Sequence, residues 1–170
     1  DAYMTAKALK GAIEKSGTSP DLILCGKQAI DTDGLQVPQI LAQMLNMPSV
    51  SVVVGFEESG NNLQLKREVD GGSLEIYEVN TPCLVACNKG LNTPRYASLP
   101  GIMKAKKKPL QELQLTDVNV SSEDQKVSYS NFRLPQEKPP GKVFDASEET
   151  NQNQVVTDVV NLLKNEAKVL

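Results

Sequence analysis

The chain has 170 residues, a net charge of −3, 39% apolar and 23% charged residues, a size and balance suited to one buried-core domain with a tail. The acidic balance and 4% aromatic content argue against a nucleic-acid surface, and the absence of histidine excludes Ser-His-Asp, Cys-His and His-ligated metal chemistry. No apolar run approaches the roughly 18 residues of a membrane span, and the first residues lack a signal-peptide pattern. The expectation is therefore no membrane insertion and an interior aqueous compartment.

Tyr3, Ala6, Leu9 and Ile13 recur at helical spacing, which predicts a helix over 2–15 ended by Ser16-Gly17-Thr18-Ser19-Pro20. Leu22 to Cys25, an apolar run between Pro20 and Gly26, reads as a parallel strand covered on both faces. A second helix is expected from Asp33 to about Asn46, with Leu35, Ile40, Leu41, Met44 and Leu45 on its apolar side. Asp33-x-x-Gln36 has the form of a capping box. The intervening Gly26 to Thr32 is then a strand-to-helix loop, the place where open α/β sheets take ligands.

Val50 to Phe56, Leu63 to Val69 and Ser73 to Val79 read as antiparallel strands, split by Glu58-Ser59-Gly60-Asn61-Asn62 and Asp70-Gly71-Gly72. Their alternation predicts that Leu63, Leu65, Leu74 and Ile76 cover a single face. Cys83 to Cys87 returns to the buried-strand style. Asn88 to Pro100 is a loop, Gly101 to Lys107 a short helix, and Val127 to Phe132 a strand within a polar arm from Leu115 to Glu148. A last helix over Glu148 to Val169 carries Val155, Val156, Val159, Leu162 and Leu163. The three cysteines, Cys25, Cys83 and Cys87, lie in apolar stretches and read as reduced packing residues. A disulfide between Cys83 and Cys87 on one strand would have to bridge about 13 Å, beyond its reach.

Two stretches resemble the β subunits of electron transfer flavoproteins. One is Leu22-Ile23-Leu24-Cys25-Gly26-Lys27-Gln28-Ala29-Ile30-Asp31-Thr32-Asp33-Gly34-Leu35-Gln36, similar to that family's nucleotide loop. The other is Leu91-Asn92-Thr93-Pro94-Arg95-Tyr96-Ala97-Ser98-Leu99-Pro100-Gly101-Ile102-Met103-Lys104-Ala105-Lys106-Lys107-Lys108, similar to its partner-recognition loop and the basic segment behind it. With Arg67-Glu68-Val69-Asp70-Gly71-Gly72, the likeness extends to about residue 110.

The resemblance implies a Rossmann-like, adenine-nucleotide hydrolase-type α/β/α domain, partial here because family members begin with a segment not present in this sequence. An antiparallel hairpin region and an extended C-terminal arm ending in a helix complete the expected fold. The implied division is a nucleotide-binding part over 1–114 and an arm over 115–170 that docks on an α subunit. The implied role is that of an electron-carrier subunit rather than an enzyme. It would bind AMP, share an FAD held mostly by the α subunit, and dock flavin dehydrogenases such as acyl-CoA dehydrogenases, with a quinone oxidoreductase as acceptor. A bacterial cytoplasm or a mitochondrial matrix is the matching compartment. The alternatives are a free-standing nucleotide-binding module of the same superfold and a bifurcating relative holding a second FAD.

By the same likeness the nucleotide contacts are Gly26, Lys27, Gln28, Ala29, Ile30, Asp31, Thr32, Asp33, Gly34, Leu35, Gln36 and Val37. Leu35, Gln36 and Val37 match a polar trio near the phosphate, and Gln36 alone keeps a polar side chain. The residues themselves equally suit a capped turn without ligand. Partner recognition falls to Asn92, Pro94, Arg95, Tyr96, Leu99, Pro100, Ile102, Met103 and Lys104. Leu99 is the implied anchor in a dehydrogenase pocket; from the residues alone it could also fold back on its own core. The Lys104 to Lys108 run suits steering of an acidic partner or a solvated face.

Overall fold

Residues 1–60, 62–138 and 140–170 are described by a computed structural model; Asn61, in the expected hairpin link, and Pro139, in the polar stretch before α4, lie outside them. They divide into two units, Asp1–Tyr129 and Ser130–Leu170.

In the first unit, helix α1 (Ala2–Lys15) and strand β1 (Leu22–Gly26) lead to helix α2 (Val37–Met44). Strands β2 (Ser49–Ser59), β3 (Asn62–Glu68), β4 (Leu74–Asn80) and β5 (Cys83–Cys87) follow, then helix α3 (Leu99–Ala105). The five strands form one open sheet in the order β1-β5-β2-β3-β4. β5 runs parallel to both β1 and β2, whereas β2, β3 and β4 are successive antiparallel neighbours. The fold is thus the expected α/β class with an antiparallel hairpin region.

The Asp1 carboxylate caps α1 by accepting from the Met4 N–H at 2.9 Å, and Gly17, at φ 71°, turns the chain away after it. Ala6 of α1 and Leu41 and Ala42 of α2 close over Leu84 of β5, with Ile23 and Cys25 of β1 at the margin. A second cluster joins Val50 and Val53 of β2, Leu63 and Leu65 of β3, and Cys83 and Val85 of β5. β5 is therefore buried from both sides, which explains its unbroken apolar run.

The structure corrects several expectations. β1 is an edge strand whose cover is incomplete: Leu22 packs on one core cluster and Ile23 and Cys25 on the other, as expected for two covered faces, but Leu24 stands 60% exposed. Leu9 of α1 also faces outward. α2 begins at Val37 rather than Asp33, because Asp33 and Leu35 take left-handed backbone at φ 50° and 49°. No side chain caps α2, and the Asp33 carboxylate instead accepts from the Gln28 amide. In the antiparallel region Leu63 and Leu65 are inside, but Leu74 and Ile76 are exposed. The register explains this: Leu65 pairs with Tyr77 and Lys66 with Ile76, so Ile76 shares its face with Lys66. α3 starts at Leu99, two positions before the expected Gly101, since Ser98 caps it and Pro100 suits its first turn.

No strand forms over 127–132. The Lys126 and Val127 N–H groups donate to the Asp1 carboxylate at 2.7 and 2.8 Å, which ties this segment to the start of α1 instead of to a sheet. Upstream, the helical turn Leu115–Val118 lies on α1, with Val118 and Val120 buried and ion pairs Lys15–Asp117 at 3.0 Å and Lys7–Asp124 at 2.5 Å. Residues 115–129 thus form a strap that belongs to the first unit.

The second unit holds irregular chain followed by helix α4 (Gln152–Asn165), shorter than the expected 148–169. Lys142 pairs with Glu166 at 3.0 Å, and no residue of α4 is fully buried. Its apolar stripe is only half covered, with Val156 and Leu163 exposed.

Candidate functional site

β1 and β5 are parallel neighbours, so the loops that follow them leave from the same carboxyl edge of the sheet. The Lys27 N–H donates to the Cys87 carbonyl at 2.9 Å and joins the two loops at their roots. The structure therefore brings the loop over 26–37 and the loop over 88–98 to one edge.

The first loop is a compact turn. The Asp33 N–H donates to the Ala29 carbonyl at 3.0 Å, and the Gln28 amide reaches the Asp33 carboxylate. Ala29, Ile30, Asp31, Thr32, Asp33, Gly34, Leu35 and Gln36 are exposed, while Lys27, Gln28 and Val37 are half-buried. A Cβ at Gly26 or Gly34 would meet nothing within 4 Å, so the backbone there is open to close approach. α2 has no acidic residue in its first turn and no side-chain cap. Its first N–H groups, at Val37 and Gln39, lack intrahelical acceptors, and Pro38 has none to offer. Such an end favours an anion. Two buried acceptors, Oε1 of Gln28 and Oε1 of Gln39, have no hydrogen-bond partner among the described residues. Each is suited to an N–H or O–H donor.

The second loop is anchored by Leu91, half-buried against the core, and is exposed from Asn92 onward. Asn92, Pro94, Arg95, Tyr96, Leu99, Pro100, Ile102, Met103 and Lys104 are all exposed. Leu99, 74% exposed, does not fold back on the core. Leu99, Ile102 and Met103 sit at i, i+3 and i+4 of α3, so one side of this short helix presents a continuous apolar stripe. Tyr96 stands fully exposed just before it, and Lys104, Lys106, Lys107 and Lys108 follow it. The helix is held by the Ser98 hydroxyl, which accepts from the Gly101 N–H at 3.3 Å, rather than by packing.

Burial pushes the Cys25 thiol up, with a further contribution from Cys87, and burial alone raises Cys83 and Cys87. All three thiols are free, as packing residues would be. Among the described residues there is no group of His, Cys, Asp and Glu able to hold a metal ion, and no helix is long and apolar enough to cross a membrane. The exposed face of β4 follows only from register, and the strap on α1 is signalled in the sequence only by Gly11, a glycine inside a helical pattern.

Residues 1–118 match the electron transfer flavoprotein domain family. An electron transfer flavoprotein subunit beta of Bacillus subtilis is 41% identical over 88% of this chain and 57% of its own length. The subunit beta of Bradyrhizobium diazoefficiens is 39% identical over 97% of this chain and 61% of its own. A mitochondrial subunit beta of Arabidopsis thaliana is 35% identical over 97% and 61%. The chain therefore spans less than two thirds of the length of these relatives.

Proposed function

The chain belongs to the electron transfer flavoprotein family, among its β subunits, and from that premise we propose that it is the non-catalytic subunit of a two-subunit electron carrier. Its task is to hold an adenine nucleotide, pair with an α subunit, and dock the dehydrogenase that supplies electrons. The observation that carries this reading is the apolar stripe Leu99, Ile102 and Met103 on an unburied helix. Exposed apolar side chains on a preformed turn gain burial at low ordering cost when a partner arrives. The lysines behind the stripe suit an acidic rim on the partner and would speed encounter.

AMP is the nucleotide that the family suggests for the loop over 26–37. The polar groups fit: N–H groups of Val37 and Gln39 donate to phosphate, and Oε1 of Gln28 and Gln39 accept from an amino or hydroxyl group of the nucleoside. Gly26 and Gly34 leave room for the ligand, while Asp31 and Asp33 set carboxylates nearby, so backbone groups rather than side chains would carry the phosphate. FAD, held mostly by the α subunit, would supply the electron-accepting flavin. This chain's own part is to bind and orient. Acyl-CoA dehydrogenases are the proposed donors and a quinone oxidoreductase the proposed acceptor, in a bacterial cytoplasm or mitochondrial matrix.

The expected division, a nucleotide-binding part over 1–114 and an arm over 115–170, is proposed to hold with 115–129 as the strap lying on α1 and 130–170 as the part that clasps the α subunit. Phe132, Leu134 and Val143 support this, since all are exposed and await cover.

The test is Leu99→Ala in the assembled heterodimer. Burying one leucine is worth about 1.5–3 kcal/mol, so the KM for reduction by an acyl-CoA dehydrogenase is expected to rise about ten- to a hundred-fold. FAD content should stay constant. Unchanged reduction kinetics would remove α3 from the docking surface. Denaturing the heterodimer and identifying the released nucleotide tests the loop separately, with AMP expected and no adenine nucleotide refuting it.

A further inference from the structure

We propose that the free edge of β4 accepts an added strand from a partner protein, an extended segment that sets apolar residues against Leu74 and Ile76 and a Lys or Arg against Glu78. Among the described residues β4 ends the sheet and pairs with β3 alone. The Val69 N–H donates to the Ser73 carbonyl at 3.0 Å, which makes that pair, one step beyond Glu68–Leu74, of the hydrogen-bonded kind. Antiparallel ladders alternate. Glu75, Tyr77 and Val79 therefore spend their backbone groups on β3, and Leu74, Ile76 and Glu78 direct theirs to the open edge.

The same three residues carry the grip. Leu74 is 55% and Ile76 63% exposed, and both lie on the face they share with Lys66 and Glu68. Natural edges are usually blunted by a bulge, a proline or a lysine. The β3–β4 register has no shift, and β4 contains neither proline nor lysine.

Charge selects the occupant. Lys66 on this face is already committed to Glu57 at 2.8 Å. Glu68, opposite Leu74, and Glu78, opposite Gln64, bracket the apolar pair with carboxylates that make no ion pair among the described residues. A second copy of this chain is a poor occupant. In each antiparallel register of substantial overlap, Glu78 of one copy falls opposite Ile76, Leu74 or Glu78 of the other, so a carboxylate meets an apolar side chain or its own kind. A basic, apolar strand satisfies both demands at once, with main-chain hydrogen bonds for affinity and the flanking cations for choice of partner.

The probe is the capped peptide acetyl-Lys-Thr-Val-Thr-Val-Thr-Lys-amide, whose lysines and valines share one face when extended. Amide exchange of the chain is followed residue by residue. At about ten times its dissociation constant the peptide should slow exchange at Leu74, Ile76 and Glu78 by about ten-fold. Glu75, Tyr77 and Val79 should be protected already. Ile76→Pro removes only an outward N–H, so the β3 ladder persists while peptide protection is lost. Ile76→Lys keeps the backbone and should also abolish it by charge. No protection at millimolar peptide, equal protection by the same peptide with glutamates at both ends, or unaltered protection in both variants would overturn the proposal. So would protection of the same amides that depends on protein concentration alone, since a second copy would then be the occupant.

Discussion

Gly11 offers the sharpest stability test, because two effects of opposite sign meet at one position. Replacing a glycine inside a helix by alanine ordinarily stabilises by roughly 0.5–1 kcal/mol. Here a Cβ would stand 2.6 Å from the Val118 carbonyl oxygen and 2.7 Å from the Val118 Cβ, against ordinary carbon contacts of about 3.5–4.0 Å. The obstacle is backbone and Cβ, so no rotamer change relieves it. Overpacking of this kind costs about 1–3 kcal/mol. Lifting the strap away entirely would uncover Val118 and Val120, at about 1.5–3 kcal/mol each. A strained but docked strap is therefore the cheaper outcome. Gly11→Ala should lose about 1 kcal/mol net, which in a chain of this size lowers Tm by about 2–4 °C. Urea and thermal unfolding followed by circular dichroism give the sign, and amide exchange at Val120, whose N–H donates to the Leu115 carbonyl at 2.9 Å, reports the strap. A net gain in stability with unchanged exchange at Val120 would refute the tight contact.

The strap should also loosen on acidification. The Gln114 N–H, aided by Lys15, holds Asp117 below the usual carboxylate range, and Lys7, aided by the Ser121 N–H, does the same for Asp124. Their folded values lie below the unfolded ones, so their stabilisation is present above the unfolded pKa of about 3.9 and fades as pH falls through the folded values. Amide exchange over 115–127, corrected for intrinsic rate, should rise below about pH 4 before that of β5 does; simultaneous loss would contradict the assignment. In the core, Leu84→Ala should cost about 2–5 kcal/mol, whereas Leu24→Ala at the exposed position of β1 should stay within about 1 kcal/mol. Equal losses in urea unfolding would show that Leu24 is covered.

Local chemistry was legible where a residue's effect does not depend on distant partners. The spacing of Ala6 and Ile13 with the Ser16–Gly17 stop set α1, and the unbroken apolar run over 83–87 set β5, because both are read from neighbours in sequence. The two loops were legible as motifs, and their likeness to a family carried the functional reading further than spacing could. The start of α2 was misread because Asp33 spends its carboxylate on Gln28, a competition that a capping pattern does not reveal.

Sequence alone determined that this is a mixed α/β chain without histidine chemistry, with a turn-rich loop after one strand and an apolar and basic segment after another. Only the tertiary structure decided that both loops rise from one edge of the sheet, since that depends on β1 lying parallel beside β5. It also decided that Leu24, Leu74 and Ile76 are uncovered and that 115–129 lies on α1. Register and sheet order assign each strand's faces to core or solvent, and both arise from pairings between residues far apart in the chain, which no local pattern encodes.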